Sequence, residues 1–113
     1  MRYCLALDLK EDPGLIARYE ELHRRIWPEV VRHICDHGVL NMEIYRLGTR
    51  LTMIMETDDT VYEADRMKLA AESNPAIRQW EELMWQFQAP TPWTPDGQKW
   101  MPMTRIFDLR EQK

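Results

Sequence analysis

A phenol and an imidazole stand one helical turn apart in the segment RYEELHRRIWPE, which runs from Arg18 to Glu29. Tyr19 and His23 are four positions apart, so their side chains are neighbours if the segment is a helix. An imidazole, whose ordinary pKa is near 6.5, can give or take a proton at neutral pH, and a phenol, with an ordinary pKa near 10, can donate one. The pair is therefore a candidate for general acid/base chemistry.

The helix that carries this pair has one largely apolar face. Its charged residues fall on the opposite side, and the two polar rings interrupt a stripe formed by Leu15, Ile16, Tyr19, Leu22, His23 and Ile26. A tyrosine and a histidine on such a stripe more often bond to backbone carbonyls in a core than perform catalysis. The pattern alone therefore favours a structural role.

The composition indicates one globular domain covering residues 1–113. The chain is 44% hydrophobic and 30% charged, and its length allows burial of roughly two thirds of the surface that the unfolded chain exposes. A net charge of -4 argues against a nucleic-acid partner, which requires clustered basic residues. The sequence has no apolar run approaching the roughly 18 residues of a membrane span, and MRYCLALDL lacks the features of a secretory signal. We expect a cytoplasmic protein with no membrane partner, in which Cys4 and Cys35 are free buried thiols rather than part of a disulfide framework.

Hydrophobic periodicity predicts four strands and at least three helices. The strands are predicted at 3–9, 39–47, 50–57 and 103–109, the second and third forming a hairpin at Gly48. Proline marks three helix starts, with Asp12 and Asn74 as N-caps. These helices begin at Pro13, Pro28 and Pro75, the first ending near Trp27 and the second at His37. A further short helix is predicted from caps at Asp58, Asp59 and Thr60 through Ala71.

The order β, α, β, β, α, β predicts an α+β fold built on the ferredoxin-like split βαβ unit, an antiparallel sheet with helices on one face. Residues at alternate positions of the second strand point to opposite faces of the sheet, so one set is predicted to lie beneath the helices and the other on the uncovered face. The first set is Leu40, Met42 and Ile44, and the second is Asn41, Glu43 and Tyr45. Such a half-polar face suits a pocket or a second subunit, and we expect a homodimer whose sheets face each other.

Five short motifs, in this order, resemble the L-rhamnose mutarotase family. They are Tyr19-x-x-x-His23, IWPE at 26–29, HG at 37–38, N-x-x-I-Y at 41–45 and Trp80-x-x-x-Met84. The family consists of small dimeric α+β barrel proteins, and the resemblance extends from the first strand to about Phe87. It implies interconversion of the α and β pyranose anomers of 6-deoxy sugars, with Tyr19 and His23 as the catalytic pair.

The chemistry of mutarotation agrees with that assignment. A base takes the proton of the anomeric hydroxyl while an acid protonates the ring oxygen, and the open aldehyde then recloses to the other anomer. His23 suits the acid/base role, and Tyr19 can donate to the ring oxygen or relay a proton through the imidazole. No metal or organic cofactor is expected, because the reaction involves neither a hydride nor a carbanion.

Aromatic residues are candidates for contact with a sugar, since the apolar C–H face of a pyranose can lie against a ring. Trp80 lies on a buried stripe and is expected to be structural first. Trp93 and Trp100 lie in a Pro-rich connection and are the better candidates for contact with a ligand or a subunit partner. The predicted substrate contacts are Trp27, Asn41, Tyr45, Trp80 and Trp93.

His33 and His37 have a spacing that could place two imidazoles on one ion, with Cys35 between them. We reject a metal site here, because no third ligand is evident and the general-base Glu of a zincin motif is absent. His37 before Gly38 is explained by its favourable position in the last helical turn.

Two departures from the family pattern bear on the substrate. Glu81 stands where rhamnose mutarotases usually carry a second Trp, and TPWTPDGQKW replaces an NPDNSP-like loop that would help line the pocket. L-Rhamnose and L-fucose differ in hydroxyl configuration, and a site built for one hydroxyl discriminates against its displacement. The altered loop favours L-fucose slightly.

Two alternatives remain open. One fold hosts many chemistries, so a ferredoxin-like dimeric oxygenase or isomerase acting on a flat aromatic substrate is one of them. The other is a non-catalytic sugar-binding module that uses Tyr19 and His23 only as hydrogen-bonding groups.

Overall fold

The computed structural model describes residues 1–112 and places an antiparallel sheet beneath a layer of helices. The predicted α+β class is confirmed. The elements in chain order are β1 Arg2–Leu9, α1 Pro13–Arg24, α2 Pro28–Asp36, β2 Val39–Leu47, β3 Arg50–Thr57, α3 Ala64–Ser73, α4 Pro75–Trp85, β4 Gln88–Ala89, β5 Met101–Pro102 and a 3-10 turn at Leu109–Glu111.

The sheet has the strand order β2-β3-β1-β4, with β5 also pairing with β1. All pairings are antiparallel, and the central strand pair aligns Leu7 with Leu51. Both of these leucines are fully buried. The order is that of a ferredoxin-like sheet, as the sequence predicted.

The fourth strand is not where the sequence pattern placed it, and the prediction of a strand at 103–109 is wrong. Gln88 pairs with Leu9, and Met101 pairs with Ala6, so two short pieces occupy the free edge of β1 and residues 90–100 form an excursion between them. The backbone N–H of Met103 continues this edge by donating to Cys4 O. The later residues have the right alternation, but the edge they would need is already paired. Accordingly, Ile106 is 94% exposed.

Local capping explains the helix starts. The Asp12 carboxylate accepts from Leu15 N–H over 3.1 Å, and the Asn74 side chain accepts from Ala76 N–H over 3.1 Å, so both predicted N-caps are confirmed. The third helix starts later than predicted, at Ala64. Asp58 instead accepts from both the backbone and the hydroxyl of Thr60, which closes a turn ahead of the helix.

The main core lies between the helices and the sheet. It contains the buried residues Leu9, Tyr19, Val30, Leu51, Ile77, Trp80, Met84 and Phe87. Half-buried Ile44 packs against it, and half-buried Met42 packs against a second cluster formed by Val39, Met53 and Met55. The predicted inward position of Leu40 is wrong. A β-bulge between Val39 and Asn41 shifts the alternation, so Val39 lies inside and Leu40 is 69% exposed.

The opposite face of the sheet carries Asn41, Glu43 and Tyr45, all exposed as predicted. Within residues 1–112, none of the helices has the length and apolar character of a membrane span.

Cys4 and Cys35 are free thiols, as predicted, but both are exposed, so the prediction that they are buried is wrong.

Candidate active site

A pocket of about 420 Å³ lies between α1 and the β2–β3 hairpin. The first helix supplies one wall, and the strands supply the other. The lining residues are Tyr19, Glu20, His23, Arg24, Ile44, Tyr45, Arg46 and Leu51. The Tyr–His pair therefore has open space beside it, rather than being sealed in the core.

The orientation of the His23 ring is fixed by its own helix. Its Nδ1 lies 2.7 Å from the backbone oxygen of Tyr19. Because a carbonyl oxygen can only accept, Nδ1 carries the proton and Nε2 of the neutral ring is a free acceptor. Burial lowers the pKa of His23 below its usual value, and the bond to the Tyr19 carbonyl opposes that shift. The ring is therefore neutral at pH 7, which is the state of a base.

Tyr19 is only 3% exposed, and its hydroxyl oxygen accepts from Gln88 Nε2 over 3.2 Å. Burial raises the pKa of Tyr19, the hydrogen bond from Gln88 opposes the rise, and the charge of Glu81 adds to it. The phenol therefore keeps its proton at pH 7. Its ring lies 4.1 Å from the His23 ring, centroid to centroid, at a tilt of 35°.

Two tryptophans support the His23 ring from the core side. The Trp80 centroid lies 5.6 Å from that of His23, and Trp27 packs edge-on against Trp80 at 5.2 Å. Trp80 is buried on the inward stripe of α4. Neither indole is among the residues lining the pocket. Trp80 therefore packs directly against the imidazole, and Trp27 packs against Trp80.

The other predicted contacts are divided between the pocket and the outside of the protein. Tyr45 lines the pocket, is 54% exposed and donates to Glu43 Oε2 over 3.0 Å. Asn41 is exposed on the uncovered face of the sheet. Trp93 is 75% exposed and lies beside the Arg50 guanidinium, with 5.4 Å between Cζ and the ring centroid. The structure thus brings Tyr19 and His23 together at the pocket. Tyr45 contributes to the lining, but its hydroxyl bonds to Glu43 on the other face of β2. Asn41 and Trp93 lie outside the pocket.

Sequence reasoning missed four polar residues at the site: Glu20, Arg24 and Arg46, which line the pocket, and Gln88, which contacts Tyr19. Glu20 and Arg46 form an ion pair that joins α1 to β2, and Arg46 also donates to Gly48 O over 2.8 Å. The alternation of β2 places Arg46 on the face of Ile44, which was a usable signal. Gln88 had none, because its contact with Tyr19 spans 69 positions and depends on the pairing of β4 with β1.

A second cavity of about 300 Å³ adjoins the first at His23 and Ile44. Its other lining residues are almost entirely apolar: Ile26, Val31, Ile34, Cys35 and Met42. His23 therefore lies between a pocket that carries charged side chains and a cavity that carries none.

His33 and His37 form a second close pair, with ring centroids 4.6 Å apart. His37 Nδ1 donates to His33 O over 2.7 Å. Among residues 1–112 no group of three His, Cys, Asp or Glu side chains is placed to hold a metal ion.

The sheet order and the pocket define a class: an α+β protein of ferredoxin-like fold with a Tyr–His pair beside a cavity. Its fold is similar to that of an L-rhamnose mutarotase from Formosa agariphila, with a TM-score of 0.70, 19% identity and coverage of 96% of this chain and 98% of that one. It is also similar to tetracenomycin F2 cyclase from Streptomyces glaucescens, a type-II polyketide cyclase, with a TM-score of 0.56, 16% identity and coverage of 96% and 97%. At these identities the likeness concerns the fold alone.

The sequence comparisons are more specific. The family model of L-rhamnose mutarotase matches residues 2–109. An L-fucose mutarotase of Xanthomonas campestris pv. campestris is 42% identical over 112 residues, which cover 97% of this chain and 89% of that protein. A UPF0734 protein of Dictyostelium discoideum is 34% identical over 110 residues, covering 95% and 88%. The chain belongs to the L-rhamnose mutarotase family of carbohydrate isomerases, as the ordered motifs predicted.

Proposed function

We propose that this protein interconverts the α and β pyranose anomers of a 6-deoxyhexose, with L-fucose preferred over L-rhamnose, and that Tyr19 and His23 perform the proton transfers. The observation that carries the proposal is the pair itself. The two rings lie 4.1 Å apart and both line one pocket, which is within the size range of small-molecule sites.

The proposed reaction is a concerted ring opening. His23 Nε2 takes the proton of the anomeric hydroxyl while the Tyr19 O–H gives its proton to the ring oxygen. The bond between C1 and the ring oxygen breaks, and the C1 oxygen becomes the aldehyde carbonyl. After rotation at C1 the ring oxygen attacks the other face of the carbonyl and returns its proton to Tyr19, and His23 returns its proton to the C1 oxygen.

The electrostatics of the site support these roles. Burial keeps His23 neutral by lowering its pKa and keeps Tyr19 protonated by raising its pKa. A base and an acid are therefore both in the required state at neutral pH. The mechanism forms neither a hydride nor a carbanion and so requires no metal or organic cofactor.

The preference for L-fucose is supported by the 42% identical L-fucose mutarotase. The Pro-rich segment, from which the sequence argued the same preference, gives no support, because none of its residues lines the pocket. Glu20 and Arg46 line the pocket, and their charged groups can form hydrogen bonds with sugar hydroxyls.

The proposal includes a homodimer in which the uncovered sheet faces meet. Leu40, Tyr45 and Leu47 are exposed on β2, at 69%, 54% and 85%. Association would remove this apolar surface from water. Sedimentation equilibrium at micromolar concentration should give twice the mass of the chain, and a single-chain mass would contradict the dimer.

Saturation-transfer NMR on equilibrated sugar tests the activity directly. Saturating the C1 proton of one anomer should reduce the C1 signal of the other when the protein is present, more strongly for L-fucose than for L-rhamnose. Exchange no faster than the buffer blank with both sugars would contradict the proposal. A protein that broadens the sugar signals without such transfer would instead be a binding module. Higher kcat/KM for L-rhamnose would overturn only the preference.

The aromatic-substrate alternative has weaker support. The polyketide cyclase shares the fold at 16% identity, which says nothing about the reaction. The pocket beside Tyr19 and His23 carries Glu20, Arg24 and Arg46, whose charged groups can bond to sugar hydroxyls but have no partners on a flat apolar substrate.

A further inference from the structure

A buried amide lies directly behind the proposed acid. Gln88 is 4% exposed, and its Nε2 donates to the Tyr19 hydroxyl oxygen over 3.2 Å. The other amide atom, Oε1, is fully buried and has no hydrogen-bond partner among the residues described. The Gln88 side chain therefore makes one hydrogen bond within the described residues, and that bond is to Tyr19.

Packing does not explain an amide at this position. Gln88 lies beside the apolar core, next to buried Phe87 and opposite buried Leu9 in the sheet. A buried acceptor without a partner is destabilising, and an apolar side chain of the same length would avoid that cost. The bond to Tyr19 is therefore the feature that an amide provides and a hydrocarbon chain does not.

That bond determines what the Tyr19 hydroxyl can do. A hydroxyl has one proton and two lone pairs. The Gln88 N–H occupies one lone pair, and no side chain or carbonyl of residues 1–112 accepts the Tyr19 proton. The proton is left available to a guest in the pocket, and the N–H remains in place to stabilise the oxygen after the proton has left.

The backbone around Gln88 is held firmly enough for this task. Residue 88 is paired with Leu9 in the sheet, and Lys10 N–H donates to Phe87 O over 2.9 Å. Lys10 leads into the Asp12 cap that starts α1, the helix of Tyr19. Both partners are thus fixed to the same end of β1.

We propose that Gln88 is a positioning residue of the mutarotase: it donates to Tyr19 Oη, keeps the hydroxyl proton turned to the pocket, and stabilises the oxygen while that proton is on the sugar. This inference rests on the proposed function. The bond also lowers the pKa of Tyr19 against the larger effect of burial, which agrees with such a role.

Gln88→Met is the first test, because methionine has a similar length and no donor. We expect kcat for L-fucose anomer exchange to fall about tenfold, with KM within about twofold, since the lost bond stabilises charge that develops during the reaction. Gln86→Met is the matched control: it makes the same change two residues earlier at an exposed position and should leave both constants unchanged. A folded Gln88→Met protein with the parental kcat would overturn the proposal.

Gln88→Glu tests the direction of the hydrogen bond. A carboxylate can only accept, so it would take the Tyr19 proton away from the sugar and reduce kcat further than Gln88→Met does. The ratio of its rate to the parental rate should rise as the pH falls, because a protonated carboxyl can donate again. If the amide were oriented with Oε1 towards Tyr19, Gln88→Glu would preserve the bond and keep the parental rate, which would overturn the proposal.

The ionisation of the phenol gives a readout independent of turnover. The difference between the alkaline absorbance titrations of the parent and of Tyr19→Phe isolates Tyr19, and the same difference in a Gln88→Met background should show a higher pKa. An unchanged pKa would contradict the proposal. Unfolding of both Gln88 variants, seen by circular dichroism, would assign Gln88 a structural role and overturn it as well. By contrast, a parent that exchanges neither sugar would contradict the proposed function itself.

Discussion

Two helices of this protein each carry a pair of aromatic rings four residues apart, and the pair in α1 lines the pocket of about 420 Å³ while the pair in α2 does not. In α1, His23 Nδ1 donates to the Tyr19 carbonyl over 2.7 Å, and in α2 and its cap His37 Nδ1 donates to the His33 carbonyl over 2.7 Å. The ring centroids are 4.1 Å apart in the first pair and 4.6 Å apart in the second. An aromatic residue and a histidine four apart therefore give the same local geometry in both places.

The surroundings of the two pairs differ. Tyr19 is buried in the core, His23 is backed by Trp80, and both line the larger cavity. His33 and His37 are half-buried, and neither lines that cavity or the one that adjoins it. Sequence spacing thus makes two rings neighbours, but burial and adjacent space, which come from other elements, make them a candidate site.

Among the substitutions that distinguish the Tyr19–His23 pair from the His33–His37 pair, His23→Ala is expected to have the largest effect on activity. Removing the proposed base should lower kcat for L-fucose anomer exchange about 10²- to 10⁴-fold, the usual contribution of positioned proton transfer. Saturation-transfer NMR at pH 7 measures the rate.

His37→Ala is the matched control, because it removes an imidazole that makes the same backbone bond but lines neither of the two described cavities. It should leave kcat within about twofold of the parent. Equal losses from the two substitutions, with both proteins folded by circular dichroism, would show that the pocket does not distinguish them.

A smaller loss is expected from Tyr19→Phe. It removes the proposed acid but keeps the ring in the core, so kcat should fall about ten- to hundredfold. It also leaves the buried Gln88 N–H without its partner, and urea denaturation should show a free energy of unfolding lower by about 1–3 kcal/mol.

Tyr62→Phe provides the comparison for that change. Tyr62 is a half-buried tyrosine that packs on Tyr3 at 5.8 Å, away from the pocket. Parental exchange rates in Tyr19→Phe would show that the phenol has no part in proton transfer. A large loss in Tyr62→Phe would point to a general effect of tyrosine hydroxyls on stability.

Much of the fold could be predicted because its determinants are local. The bounds of β2 and β3 follow from alternation and the Gly48 turn, and the N-caps at Asp12 and Asn74 need only the three residues that follow them. The Tyr19–His23 pair is local in the same sense, since helical spacing alone makes these residues neighbours.

The features that were missed depend on distant partners. The position of the fourth strand depends on which residues pair with the free edge of β1. Gln88 and Met101 occupy that edge in the structure. The bulge that exposes Leu40 comes from the register with β3, and the contact of Gln88 with Tyr19 comes from the docking of β4. Such pairings are decided by packing across the chain, so periodicity within one segment does not contain them.

The pH dependence of kcat/KM should reflect the lowered pKa of His23. Because burial lowers the pKa of His23 below its usual value, the acid limb of kcat/KM should lie at a lower pH than that of an unperturbed histidine. A pH–rate profile from 5 to 8 measures this. An acid limb above pH 6.5 would contradict the assignment of His23 as the base.

The same shift predicts an effect of pH on stability. The unfolded chain binds protons at its histidines near pH 6.5, whereas burial lowers the pKa of His23 and of His33, so the folded chain binds fewer protons at that pH. The free energy of unfolding should therefore fall as the pH drops from about 7 towards the lowered values. Urea denaturation at several pH values tests this, and His23→Gln should weaken the dependence. A dependence identical to the parent would contradict the lowered pKa of His23.

The smallest effect concerns the α2 pair alone. The pKa of His33 is lowered first by burial and second by the positive charge of His37. His37→Gln removes that charge, so the pKa of His33 should rise towards its usual value while the pKa of His23 stays where it is. NMR titration of the histidine ring protons measures both in one sample. An equal rise in the pKa of His23 would mean that the two pairs are electrostatically coupled. The surroundings of the Tyr19–His23 pair would then not be independent of the His33–His37 pair, contrary to the comparison made above.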